Sequence, residues 1–174
     1  MGLRLYFLSR GEDFRRVSTD EESKSISAET TFDDDIADPT RLESVLWTLA
    51  EKVARRAKSQ HFSGYTITLK LKTKNFETRT RSATLEDPTQ LAHRIFEVSK
   101  PLLQREANGT DYRLIGVGIS NLEAAPGDAA KPSLDETQNK RDKAEAAIDK
   151  IRSKFGIPAV VKGIALREKK PRPK

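Results

Sequence analysis

Two stretches of the chain repeat one design. DPTRLESVLWTLAEKVA starts at Asp38, and DPTQLAHRIFEVSKPLL starts at Asp87. In each, an Asp side chain stands where it can accept from the orphan amides of a helix's first turn, and the Pro that follows has no amide to waste. Apolar residues then recur at helical spacing: Leu42, Leu46, Leu49 and Val53 in the first copy, Leu91, Ile95, Val98 and Leu102 in the second. Both sets step by four, three and four, which draws a single stripe down a helix. The repeat predicts two amphipathic helices of the same build, with Pro101 kinking the second or starting a new turn.

Strand signals flank both helices. They cover residues 25–32 and 65–72 around the first and 76–85 and 113–122 around the second. The order is β-α-β-β-α-β, an α+β, ferredoxin-like arrangement: a four-stranded antiparallel sheet with two helices on one face, to which a C-terminal helix and flexible ends are added. The other face is then uncovered. Ile67, Leu69 and Leu71 alternate with Thr66, Thr68, Lys70 and Lys72, so the aliphatic set faces the helices and the polar set the open side. Ile115, Val117 and Ile119 likewise face inward, and Gly116, Gly118 and Ser120 outward. In the third strand neither set is apolar. Arg79 and Arg81 are assigned to the open side, because burying two unpaired guanidiniums is costly.

Charge limits what such a face meets. The 174 residues hold 32 Lys and Arg against 26 Asp and Glu, a formal net charge of +6. The segment TITLKLKTKNFETRTRS carries Lys70, Lys72, Lys74, Arg79 and Arg81 against the single acid Glu77. A one-sign cluster on a sheet fits a polyanion. Lys and Arg neutralise phosphates; Thr66, Thr68, Thr80, Ser82 and backbone amides suit the positioning of a sugar-phosphate chain. Gly116 and Gly118 either mark a close approach by another backbone or a ligand, or merely ease strand twist. No Asn, Gln and Arg array stands on a recognition helix, and the open face lacks the paired aromatics of a base-stacking RNA sheet. The expected ligand is a duplex backbone, bound with weak dependence on sequence.

Other classes drop out. The absence of cysteine excludes disulfides, thiol catalysis and thiolate metal sites. His61 and His93 stand at no ligand spacing and read as surface histidines, so no metal site is expected. No apolar run reaches membrane length, and MGLRLYFLSRGED lacks the features of a signal peptide, so a cytoplasmic, membrane-free location is expected. Asp33-Asp34-Asp35 reads as a solvated cap leading into the first helix. Ser133-Leu134-Asp135-Glu136 sits in a Pro-, Ala-, Gly- and Asp-rich linker that fixes no catalytic geometry. Ala144, Ile148, Ile151 and Phe155 form a further helical stripe, ended by Gly156 and Pro158.

Three segments together carry a resemblance: SKSISAETTF, TITLKLKTKNFETRTRSATL and RLIGVGISNL. Lys24, Ser25 and Ile26 fit a Lys-Ser-hydrophobic opening strand. Thr80, Arg81, Ser82, Thr84 and Leu85 fit a Thr-Arg-Ser-x-Thr-Leu strand, and residues 114–120 fit Leu-hydrophobic-Gly-Val-Gly-hydrophobic-Ser. In order and spacing, over residues 20 to 125, they resemble the little-finger domain (C-terminal, ImpB/MucB/SamB-type) of the Y-family translesion DNA polymerases. The resemblance implies a non-sequence-specific duplex-binding domain of an error-prone repair polymerase, gripping primer-template DNA. Its implied contacts are Lys24, Ser25, Ser27, Thr66, Thr68, Lys70, Lys72, Lys74, Arg79, Thr80, Arg81, Ser82, Gly116, Gly118 and Ser120.

The resemblance also implies an organisation. Residues 1–22 close a thumb and tether, 23–125 form the little finger, 126–138 a linker, 139–163 a C-terminal helical segment and 164–174 a basic tail. Leu3, Leu5, Tyr6 and Leu8 are expected to have lost their thumb neighbours. The carboxylates that hold Mg²⁺ in such an enzyme belong to a palm domain, so this chain is expected to carry no catalytic residue and no cofactor. Implied partners are palm, fingers and thumb, in a monomer of the bacterial cytoplasm. The alternative role is a protein-interaction module recruiting a sliding clamp through the sheet edge or the linker, where Pro132, Ser133 and Leu134 resemble a degenerate clamp peptide.

Overall fold

The computed structural model describes residues 2–14, 23–125 and 136–168. In chain order the elements are α1 (Gly2–Ser9), β1 (Ser25–Ile36), α2 (Pro39–Ser59), β2 (Phe62–Thr73), β3 (Thr78–Thr89), α3 (Ala92–Glu106), β4 (Tyr112–Ala124) and α4 (Glu136–Phe155). Short 3-10 turns follow at Ile157–Ala159 and Gly163–Glu168. From β1 to β4 this is the β-α-β-β-α-β order and α+β class that the repeat predicts. The strands form one sheet in the order β1-β4-β2-β3, every neighbouring pair antiparallel, so β4 and β2 are interior and β1 and β3 are edges.

The core lies between the sheet and α2 with α3. Leu42, Leu46, Leu49 and Val53 of α2 and Ile95, Leu102 and Leu103 of α3 meet Ile67, Leu69, Leu71, Ile115, Val117 and Ile119 from the interior strands. Trp47 and Phe96 join the two helices edge to face, with ring centroids 5.3 Å apart. Each aliphatic side chain so buried contributes about 1.5–3 kcal/mol. One face of the sheet is thereby committed to the core, and alternation along each strand turns the polar set to the other face.

The two copies of the repeat do not start their helices alike. Asp38 caps α2: its carboxylate accepts from the amides of Thr40 at 3.0 Å and Arg41 at 3.3 Å, with Pro39 in the first turn. Asp87-Pro88-Thr89 instead stays extended as the end of β3, where Thr89 pairs with Gly64. α3 begins only at Ala92, and the residue before it, Leu91, makes no side-chain cap. Pro101 is carried inside α3, which runs on to Glu106. Asp33-Asp34-Asp35 extends β1 rather than capping α2, because the strand continues to Ile36 and its pairing with Tyr112.

The missing cap of α3 comes from α4. Glu145 accepts from the amides of Ala92 at 2.9 Å and His93 at 3.2 Å. It also lies 2.9 Å from Nδ1 of His93 and accepts from Lys58 at 2.7 Å. His93 is thus no surface histidine: it is 5% exposed, with Asp142 3.1 Å from its Nε2. Burial works against the charge on Glu145, but His93, Lys58 and the Ala92 amide outweigh it and hold the carboxyl at about 2. Burial likewise works against the charge on Lys58, yet Glu145 and Asp149 leave its pKa raised. Arg152 adds bonds to Glu51 at 2.9 Å and to the Val160 carbonyl at 2.7 Å. The helix therefore docks by its polar side. The apolar stripe that the spacing predicts stays largely outside the contact, with Ile151 40% and Phe155 67% exposed.

α1 is short and buries none of its residues; Leu3, Leu5, Tyr6 and Leu8 are exposed. No helix among the described residues is long and apolar enough to cross a membrane.

Candidate nucleic-acid interface

Register fixes what shares the open face. One row across the sheet is Ser25, Ser120, Thr66 and Thr84. The next is Ser27, Gly118, Thr68 and Ser82, and the next Glu29, Gly116, Lys70 and Thr80. A fourth holds Thr31, Leu114, Lys72 and Thr78. The face is therefore a field of hydroxyls with lysines along β2 and a furrow of glycine along β4. Lys24 stands exposed just before β1. Thr66 lies 3.3 Å from the Thr84 hydroxyl and accepts from Asn121 at 2.9 Å, so hydroxyls at one end of the face are already linked.

The furrow has a structural cause. A Cβ on Gly116 would lie 2.8 Å from Cβ of Glu29, and one on Gly118 would lie 2.8 Å from Cβ of Ser27. β1 approaches β4 too closely for any other residue at those positions. Of the two readings left open by the sequence, close approach of a neighbouring strand is the one realised. The same absence of side chains lets Lys70 reach over Gly116 to Glu29, at 2.9 Å.

The cations that cluster in sequence separate in space. Arg79 pairs with Leu71 and Arg81 with Leu69, so both project to the helix side, not the open side. Their charges are met there: Arg79 lies 3.2 Å and Arg81 2.7 Å from Glu106, the last residue of α3. Tyr112 donates its hydroxyl to the Glu106 carbonyl at 2.9 Å and lies 3.4 Å from Arg79. The bonds to Glu106 and Tyr112 raise the pKa of Arg79. Burying unpaired guanidiniums is costly, but these are paired at a sheet edge, and the pairing register decides their side. Lys74 leaves the sheet in the β2–β3 turn, where it donates to Asp111 at 2.7 Å, a bond that raises its pKa. The open face keeps Thr80 and Ser82 from β3 and Lys70 and Lys72 from β2.

Two residues outside the sequence expectation stand at the end of this face. Phe76, in the β2–β3 turn, is 59% exposed and has φ of 65°. Left-handed backbone costs a residue with a Cβ about 1–2 kcal/mol. The Lys72 ammonium lies 5.0 Å and the Arg113 guanidinium 4.0 Å from its ring centroid. Arg113 occupies the bulge between the pairs Lys72–Leu114 and Thr73–Tyr112. Nothing local in the sequence marks that irregularity. Pro132, Ser133 and Leu134 lie outside the described residues.

The motifs and the fold agree with comparison to known proteins. Residues 23–134 match the impB/mucB/samB family C-terminal domain. DNA polymerase IV 1 of Mesorhizobium japonicum is 52% identical over 94% of the chain. DNA polymerase IV of Brucella melitensis is 51% identical over 94% of the chain. The chain spans 37% of the length of each of these relatives. Among solved structures, a Y-family DNA polymerase chimera superposes with a TM-score of 0.54 at 15% identity, over 70% of this chain and 35% of that one. That likeness is one of fold. With the family match covering the whole sheet and both of its helices, the chain belongs to the impB/mucB/samB family as its C-terminal, little-finger domain.

Proposed function

We propose that this domain holds primer-template duplex DNA for a translesion DNA polymerase, by its open sheet face and without reading bases. The observation that carries the reading is the set of cross-strand rows: hydroxyls from all four strands, with Lys70 and Lys72 among them, on a face opposite to both helices. Hydroxyls and ammonium groups bind phosphate oxygens and discriminate little between bases. The Lys70–Glu29 pair is exposed, with side chains 45% and 52% accessible, and exposed pairs are worth little. A phosphate can therefore replace Glu29 at Lys70 for a small cost. The formal charge of +6 favours approach to DNA.

The relatives' name supports a parent enzyme that polymerises DNA. In that enzyme Mg²⁺ chemistry would belong to another domain, and this one would supply affinity and position. Backbone grip suits lesion bypass, because a distorted base leaves the phosphate chain largely in place.

The test is duplex binding by this chain across a salt series. Binding is expected at low salt, with similar affinity for unrelated sequences. Lys70→Ala should lower the slope of log affinity against log salt by about 0.9, the value for one phosphate contact. Absence of duplex binding at low salt, or strong preference for one sequence, would overturn the reading.

A further inference from the structure

We infer that Phe76 is a positioning residue for DNA: it holds Lys72 and Arg113 ready for phosphates at the end of the open face. The inference rests on the duplex-binding reading and adds to it a site, the β2–β3 turn, and an arginine that no strand pattern marks.

The turn is built tightly. The amide of Thr73 donates to the Glu77 carbonyl at 3.0 Å, the amide of Phe76 donates to the Thr73 carbonyl at 2.9 Å, and the amide of Glu77 donates to the Thr73 hydroxyl at 3.2 Å. The residue before Glu77 must then take left-handed backbone, as in the three-residue hairpin loops whose last position favours glycine. Phe76 takes it, with φ of 65°. A bulky side chain there opposes the backbone preference, and it is not repaid by burial, since Phe76 is 59% exposed. A residue kept against both backbone preference and hydrophobic burial points to a task outside the fold.

The ring's contacts say what the task is. Lys72 and Arg113 lie 5.0 Å and 4.0 Å from its centroid. Neither cation has a carboxylate partner among the described ion pairs, whereas Lys70, Lys74, Arg79 and Arg81 all do. Cation–π contact steadies a positive group without neutralising it. The two cations thus keep their full charge while losing mobility. That is the state in which a phosphate contact costs least side-chain entropy.

Phe76→Gly separates this role from a structural one. Glycine suits the backbone, so thermal stability should stay equal or rise. Duplex affinity of this chain, measured by fluorescence anisotropy across a salt series, should fall by about threefold to tenfold, with a shallower salt slope. Arg113→Ala should by itself lower the slope by about 0.9. In the Lys72→Ala, Arg113→Ala background, Phe76→Gly should change affinity by less than about twofold.

The inference is overturned if Phe76→Gly binds duplex as the wild type does, or if it still weakens binding when both cations are gone. The second result would mean that the ring touches DNA itself. Equal binding by Phe76→Gly beside a wild type that binds duplex defeats this inference alone. A wild type that binds no duplex defeats the functional reading first.

Discussion

Arg81 and Glu106 form a 2.7 Å ion pair on the helix side of the sheet, tying edge strand β3 to the end of α3. Arg79 reaches the same carboxylate at 3.2 Å. Glu106 is buried while Arg81 is half exposed, so the two ends of the pair differ in worth. Arg81→Ala should cost under about 1 kcal/mol and leave the salt slope of duplex binding unchanged. Glu106→Ala removes the shared acceptor and should cost about 1–3 kcal/mol in thermal or denaturant unfolding. A salt slope lowered by about 0.9 in Arg81→Ala would instead put this arginine on DNA.

Glu145 supplies the cap that α3 lacks. Glu145→Ala should expose the amides of Ala92 and His93 and release α4 from its contact with Lys58. The expected loss is about 1–2 kcal/mol, in the range of a lost N-cap. Hydrogen exchange should rise in the first turn of α3 and along α4, with the β4–β2 core unchanged. Exchange in α3 equal to that of the wild type would contradict the capping role.

Acid should release the same contact. Glu145 is held at about 2 against an ordinary value of 4.5. A depressed carboxylate stabilises the fold above its unfolded pKa, and this is lost as pH falls through the folded value. Docking of α4 should weaken below about pH 4.5 and be lost towards about pH 2. Asp142, whose pKa burial raises, works in the opposite direction and blunts the change. Glu145→Gln should flatten this acid limb in hydrogen exchange of α4. An identical limb in the variant would assign it to another group.

Gly118 is required by the sheet itself. A Cβ there would sit 2.8 Å from Cβ of Ser27 and 3.1 Å from the Ile26 carbonyl. Gly118→Ala should force β1 away from β4 and cost about 1–3 kcal/mol. A melting temperature equal to that of the wild type would show that β1 yields without loss.

Glu29 is the acid within the four cross-strand rows of the open face. It pairs with Lys70 at 2.9 Å and would repel a phosphate. Glu29→Gln should tighten duplex binding by about threefold, roughly 0.6 kcal/mol, at low salt. Weaker binding in this variant would count against Lys70 as a phosphate contact.

How much of this was legible beforehand varies with the range of the interaction. Asp38 with Pro39 announced the start of α2, and the stripe through Leu42, Leu46, Leu49 and Val53 announced its buried side. Alternation in β2 and β4 assigned Lys70, Lys72, Gly116 and Ser120 to the open face, because an aliphatic set on the opposite side left no choice of register. The same Asp-Pro-Thr letters misled at Asp87, where pairing of Thr89 with Gly64 kept the chain extended.

By itself the sequence determined the element order, the two helical stripes and the open face of the interior strands, since each is written in residues a turn or a pleat apart. Tertiary structure alone decided the side taken by Arg79 and Arg81, the cap of α3 by Glu145, the burial of His93 and the gathering of Lys72 and Arg113 at Phe76. Each of those depends on partners across the sheet or on another helix, whose free energy appears only once strands have paired and helices have docked.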